Sequence, residues 1–160
     1  MDELSIRFYQ PFDKEELNYQ LPDIQQEFTA LPLVALTFLG ERNTQDYHML
    51  SIVKNKAVIG FFALDYGEDK LNYTTNEAAL LVRSLSINPK FQGKGYGTLA
   101  MQQLLIFVKD FFPTINELVL GVNRRNISAY KIYINIGYSD TGNIFVGRNG
   151  DQHILTKKIY

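Results

Sequence analysis

The sequence predicts an α/β (α+β) fold, a single domain with strands and helices mixed around one sheet. Three observations carry that prediction. Seven short runs have the residue types and alternation of strands. Two longer segments repeat apolar residues at helical spacing. Asparagine, glycine and proline punctuate the boundaries between them. The chain has 160 residues, 46% of them hydrophobic and 21% charged, which suits one globular domain with a real core.

Residues 5–8 alternate and read as a short first strand. Residues 13–39 read as helical in pieces, interrupted at Pro22 and Pro32, because proline ends or kinks a helix. Residues 47–53 and 57–66 are β-rich runs joined by Lys54-Asn55-Lys56 as a hairpin. A polar connection over 67–76 leads to a strand at 78–87, stopped by Asn88-Pro89. A helix is expected from 95 to 112, with Ala100, Leu104, Phe107, Val108 and Phe111 on one apolar face and Pro113 closing it. Residues 117–122 form the next strand. Ala129, Ile132, Tyr133 and Ile136 then mark a second amphipathic helix, with Gly137 at its C-terminal cap. The chain finishes as a hairpin of 144–148 and 153–159 around Asn149-Gly150.

Composition narrows the function classes. There is no cysteine, which excludes disulfide scaffolds and a thiol nucleophile. His48 and His153 are the only histidines and no helical metal motif surrounds them, so no metal is expected. No G-x-S-x-G elbow is present. No apolar run reaches the roughly 18 residues of a membrane span. Nothing after Met1-Asp2-Glu3 reads as a secretory leader, so the expectation is a cytoplasmic protein with no membrane partner. A net charge of −1 argues against nucleic acid as a partner. Residues 1–46 hold nine acids against three bases, and the remainder eight acids against thirteen bases. That asymmetry suits two ligands of opposite charge as well as it suits uneven surface charge.

The most informative stretch is Ile87-Asn88-Pro89-Lys90-Phe91-Gln92-Gly93-Lys94-Gly95-Tyr96-Gly97-Thr98, between a strand and the long helix. Glycines there let backbone N–H groups approach a ligand closely, and the positive end of the helix favours a phosphate or pyrophosphate. Taken alone, Gly95-x-Gly97-x-x-Ala100 also fits a dinucleotide fingerprint. That alternative needs an acid at the end of the next strand, whereas Glu117 opens its strand.

Two motifs together resemble the GNAT superfamily of acyl-CoA N-acyltransferases. Gln92-Gly93-Lys94-Gly95-Tyr96-Gly97 matches its loop Gln/Arg-x-x-Gly-x-Gly/Ala. Downstream, Asn126 through Tyr138 match Asn-x-x-Ala-x-x-Leu/Ile-Tyr-x-x-x-Gly-Phe/Tyr. The resemblance implies a mixed, mostly antiparallel sheet of about seven strands, with acetyl-CoA as cosubstrate. It implies that backbone amides of Gln92, Gly93, Lys94, Gly95, Tyr96, Gly97 and Thr98 hold the CoA pyrophosphate. Leu85 and Ile87 would pair with the pantetheine arm like an added strand, one amide polarising the thioester carbonyl. Asn126 would contact the cosubstrate or cap its helix. Lys90, Lys94, Arg124, Arg125 and Lys131 are candidates for the adenosine 3′-phosphate. Tyr133, otherwise a core aromatic by its spacing, matches the tyrosine that protonates the departing thiolate.

A general base is harder to find. Leu81 stands where some relatives carry a glutamate, and Glu77, Asp65, Glu68 and Asp69 read as surface carboxylates. The expected reaction is direct transfer of an acetyl group from acetyl-CoA to a primary amine in a ternary complex. The acidic N-terminal part suits a small cationic acceptor such as a polyamine or an aminoglycoside. The rivals are a CoA-binding sensor module with little catalysis, and acylation of a protein lysine or N-terminus. The resemblance leaves room for a homodimer.

Overall fold

The computed structural model describes residues 3–41 and 45–160. Seven strands form one sheet: β1 (Leu4–Phe8), β2 (Tyr47–Lys54), β3 (Ala57–Asp65), β4 (Ala79–Ile87), β5 (Glu117–Asn123), β6 (Ser139–Gly147) and β7 (Gly150–Lys158). Their order is β1-β2-β3-β4-β5-β7-β6. All neighbours are antiparallel except β4 and β5. A parallel pair needs a crossover, and here it contains α3 (Tyr96–Phe111). The other helices are α1 (Asp23–Gln26), α2 (Pro32–Glu41) and α4 (Ile127–Asn135).

Both prolines begin helices instead of ending them: Pro22 is the N-cap of α1 and Pro32 the first residue of α2. The ring cannot donate an N–H, and a helix's first turn does not need that donor. The hairpin between β2 and β3 turns at Asn55 (φ 49°) and Lys56 (φ 72°), the left-handed pair a two-residue hairpin requires. The final hairpin pairs Gly147 with Gly150, so its turn is Arg148-Asn149, one residue earlier than the sequence suggests.

The main core lies between the sheet and α3. Leu50, Ile52, Phe62, Leu64, Leu80, Leu118 and Leu120 from the strands meet Ala100, Met101, Leu104 and Val108 from the helix. Phe111, expected on that face, is 55% exposed, although its ring stacks on Phe107 at 4.5 Å. It sits in the last turn, edge-on to Phe8 of the outermost strand β1 at 5.2 Å, with its other side to solvent. Met101 takes a buried place that the spacing did not single out. Ile132 of α4 is likewise exposed, while Ala129, Tyr133 and Ile136 pack against the core. On the opposite face a second core joins Leu17, Tyr19, Leu21 and Ala35 to Met49, Phe61 and Ala63.

Candidate active site

The sheet opens at its one parallel pair. β4 and β5 pair only at Ala79↔Glu117, Leu80↔Leu118 and Leu81↔Val119. Beyond Leu81, β4 keeps its bonds to β3 and leaves its other edge unpaired. The departure coincides with a bulge. Ser84 has φ 63°, and the β3–β4 register shifts between Phe61↔Ser86 and Ala63↔Arg83. A serine in the left-handed region costs roughly 1 kcal/mol, and a bulge bends and twists its strand.

Two features hold the strand after the bulge. Gly60 pairs with Ile87, and a Cβ there would lie 2.4 Å from the Ser86 carbonyl oxygen. Only glycine lets the backbones come so near. From the other face, the buried Tyr19 hydroxyl donates to the Ser86 carbonyl (3.2 Å) and shares a 2.7 Å hydrogen bond with Ser86 Oγ. Burial raises the Tyr19 phenol, against the hydrogen bond from Ser86, so it stays protonated.

The glycine loop follows directly. The Asn88 side chain accepts from the Lys90 N–H (3.0 Å) and starts a single tight turn. Gln92 Nε2 donates to the Ile87 carbonyl (2.7 Å), and its carboxamide pairs with Gln25 of α1 at 2.9 and 3.1 Å. Its side chain therefore fixes the loop to β4 and α1. Gly93 (φ 76°) and Gly95 (φ 82°) need the left-handed region, and a Cβ on either would meet nothing within 4 Å. The loop's outer surface is open. Gly95 caps α3 without a side-chain acceptor, so the first-turn N–H groups of Tyr96, Gly97 and Thr98 carry the helix's partial positive charge outward. These groups suit an anion such as a pyrophosphate. Leu85 and Ile87 lie half-buried on the unpaired stretch of β4, where their backbone can receive an extended ligand.

Tyr133 sits on α4, which leaves the end of β5. Gly137 (φ 103°) closes this helix: the Tyr138 N–H donates to the Tyr133 carbonyl and the Gly137 N–H to the Ile134 carbonyl. The motif brings the Tyr133 and Tyr138 rings to 5.8 Å. Burial pushes the half-buried Tyr133 phenol up to about 12. Asn126 caps α4, accepting from the Ala129 N–H at 3.3 Å. Arg125 pairs with Glu27 (3.1 Å) and Arg124 with Asp151 (3.6 Å), so both are engaged by carboxylates. Lys90 and Lys94 are exposed on the loop itself, and Lys131 is exposed on α4.

Among the base candidates, Leu81 is buried with Ala79, Val119 and Ile154. Asp65 is no surface carboxylate. It is 1% exposed, accepts from the Gly67 N–H (2.9 Å) and pairs with Arg83 at 3.0 Å. Asp69 takes the same guanidinium at 3.0 Å, while Glu68 and Glu77 are exposed. The sequence did not bring Arg83 forward. Its signal was a lone charge in the apolar run Ala79-Leu80-Leu81-Val82-Arg83.

A mixed sheet parted at its parallel pair, with a glycine loop and helix N-terminus beside the gap, defines the class of acyl-CoA-dependent acetyltransferases. The acetyltransferase (GNAT) family model matches residues 3–138, and the chain belongs to that family. A Bacillus subtilis (strain 168) protein described as uncharacterized N-acetyltransferase YbbJ is 37% identical over 156 residues, 96% of each chain. The aminoglycoside acetyltransferase AAC(6′)-Ib, crystallised with coenzyme A, superposes with a TM-score of 0.75 at 18% identity, over 98% of this chain and 95% of that one. Spermidine N-acetyltransferase from Vibrio cholerae, with CoA and spermine, gives 0.69 at 13% identity, over 97% and 95%. At those identities the likeness to solved structures is one of fold.

Proposed function

We propose that the chain moves an acetyl group from acetyl-CoA to the primary amine of a small acceptor by direct transfer in a ternary complex. The observation that carries this is the unpaired edge of β4 beyond Leu81, continuous with the glycine loop. Amides of residues 92–98 would hold the pyrophosphate, with Gly93 and Gly95 giving the clearance. Leu85 and Ile87 would align the pantetheine arm, one amide facing the thioester oxygen. Asn126 would support this side while capping α4.

The acceptor nitrogen attacks the thioester carbonyl, the carbon–sulfur bond breaks, and the proton that the amine loses passes to solvent water. Tyr133 donates its O–H to the sulfur as it leaves. The amine is cationic when free, and Glu15 and Glu16 line a surface pocket with Tyr19 and Asn88, next to the end of β4. The aminoglycoside and spermidine relatives, whose acceptors are small amines, support that class. We read residues 1–160 as one such domain acting in the cytoplasm, a reading that the use of an acyl-CoA donor supports.

Incubation with acetyl-CoA and a panel of amines, following thiol release, tests the proposal. Acceptor-dependent release supports it. CoA binding without release would favour the sensor reading, which the buried Leu81 in place of a carboxylate keeps alive.

A further inference from the structure

We infer that the acceptor carries an anionic group, a carboxylate or a phosphate, which Arg83 binds at the mouth of the gap between β4 and β5. This rests on the transferase reading above and names the class of its acceptor.

Arg83 is the residue before the bulge, on the face opposite α3, where it meets Asp65 and Asp69. Continuing the register from Leu81↔Val119 sets Arg83 across the gap from Gly121. Gly121 has no side chain, and a Cβ there would lie 2.0 Å from Gln152 Oε1 and 2.8 Å from the Tyr73 ring. Those two groups occupy the space. Tyr73 lies 4.7 Å from the Phe145 ring, so a carboxamide and two aromatic rings cover Gly121 on the β5 side.

The guanidinium is prepared for an anion. Both of its hydrogen bonds leave from one nitrogen, Nη1, to Asp65 and Asp69. Among the described residues, Nη2 and Nε donate to nothing, and the side chain is 34% exposed. The Nε–H and one Nη2–H lie along one edge, the two-donor set that a carboxylate or phosphate takes in a bidentate grip. Asp65, buried and braced by the Gly67 N–H, holds that edge still. The two carboxylates reduce the attraction for an incoming anion while they set its direction.

Burial works against the Arg83 cation, but the bonds from Asp69 and Asp65 outweigh it and hold the guanidinium charged.

The test is thiol release with matched acceptors: free amino acids against their carboxamides, phosphoethanolamine against ethanolamine, and spermidine. Removing the anion should lower kcat/KM by about 10- to 100-fold, the worth of a charge-assisted pair. The two matched sets separate a carboxylate site from a phosphate site. Arg83→Gln and Arg83→Lys should shrink the discrimination within each pair, chiefly through the acceptor KM. CoA binding by calorimetry reports whether each variant is folded, and the wild-type panel stands without them. Turnover of spermidine above every anionic amine, or discrimination unchanged in a folded Arg83→Gln, overturns this inference alone. No release with any amine while CoA still binds overturns the transferase reading, and this one with it.

Discussion

Tyr133→Phe is the substitution whose size the structure fixes best. Burial holds the phenol at about 12, against about 8.5 for an ordinary thiol. On the proposed reaction a phenol so much weaker as an acid would act through a hydrogen bond to the charge developing on sulfur, worth about 1.5–3 kcal/mol. Removing it should lower kcat by about 10- to 100-fold, at or below the lower end of the usual range for a full general acid. The assay is steady-state thiol release at saturating acetyl-CoA across pH 7 to about 10, with KM for acetyl-CoA expected within about two-fold of wild type. Wild-type kcat should show no falling limb in that window, because the phenol stays protonated throughout. A loss beyond about a thousand-fold, with a wild-type limb falling below pH 10, would refute this reasoning by showing an ordinary phenol acting as a full acid. Unchanged kcat would remove Tyr133 from the chemistry.

Three further outcomes are expected. Asp13 is buried beneath Arg7 (2.6 and 2.7 Å), Ser51 (2.8 Å) and the Gln10 N–H (2.9 Å), and Arg7 itself is 37% exposed, so Asp13→Ala should cost about 1–3 kcal/mol in urea unfolding. Burial alone would raise that carboxyl, but bonds from Arg7, Gln10 and Ser51 hold it below its usual value. Its stabilisation is thus full above its unfolded pKa and is lost as pH falls through the depressed native one, so Asp13→Asn should flatten the acid limb of stability. Gly60→Ala forces a Cβ against the Ser86 carbonyl and should weaken CoA binding by calorimetry more than it lowers the melting temperature, since it displaces the strand after the bulge. Tyr138 is 3% exposed and its hydroxyl has no partner among the described residues, so Tyr138→Phe should leave the melting temperature unchanged or raise it. A clear fall would mean that the hydroxyl is bonded in solution.

What could be read from the sequence was local. The loop from Gln92 to Thr98 declares itself because glycine at positive φ and a following amphipathic helix leave a contiguous trace. The hairpin at Asn55-Lys56 does so for the same reason. The gap between β4 and β5 leaves none, since it depends on where pairing stops, and Ser84 looks like any strand serine. Arg83 could be seen only as an oddity, because its partners Asp65 and Asp69 lie on other elements. Phe111 shows the limit of periodicity: spacing marks a helix face but not where the sheet beneath it ends. Pro22 and Pro32 were legible as boundaries, yet they start helices where a break was expected.

On the proposed reading, the strand edge left bare beyond Leu81 also couples the enzyme's endurance to its metabolic supply. A ligand that completes this edge binds the folded chain and not the unfolded one, so by mass action it adds about 2.7 kcal/mol at a hundred times its dissociation constant. Thermal melts with and without CoA would read that increment directly. A cell depleted of acyl-CoA would then hold a population that not only idles but also unfolds and turns over sooner.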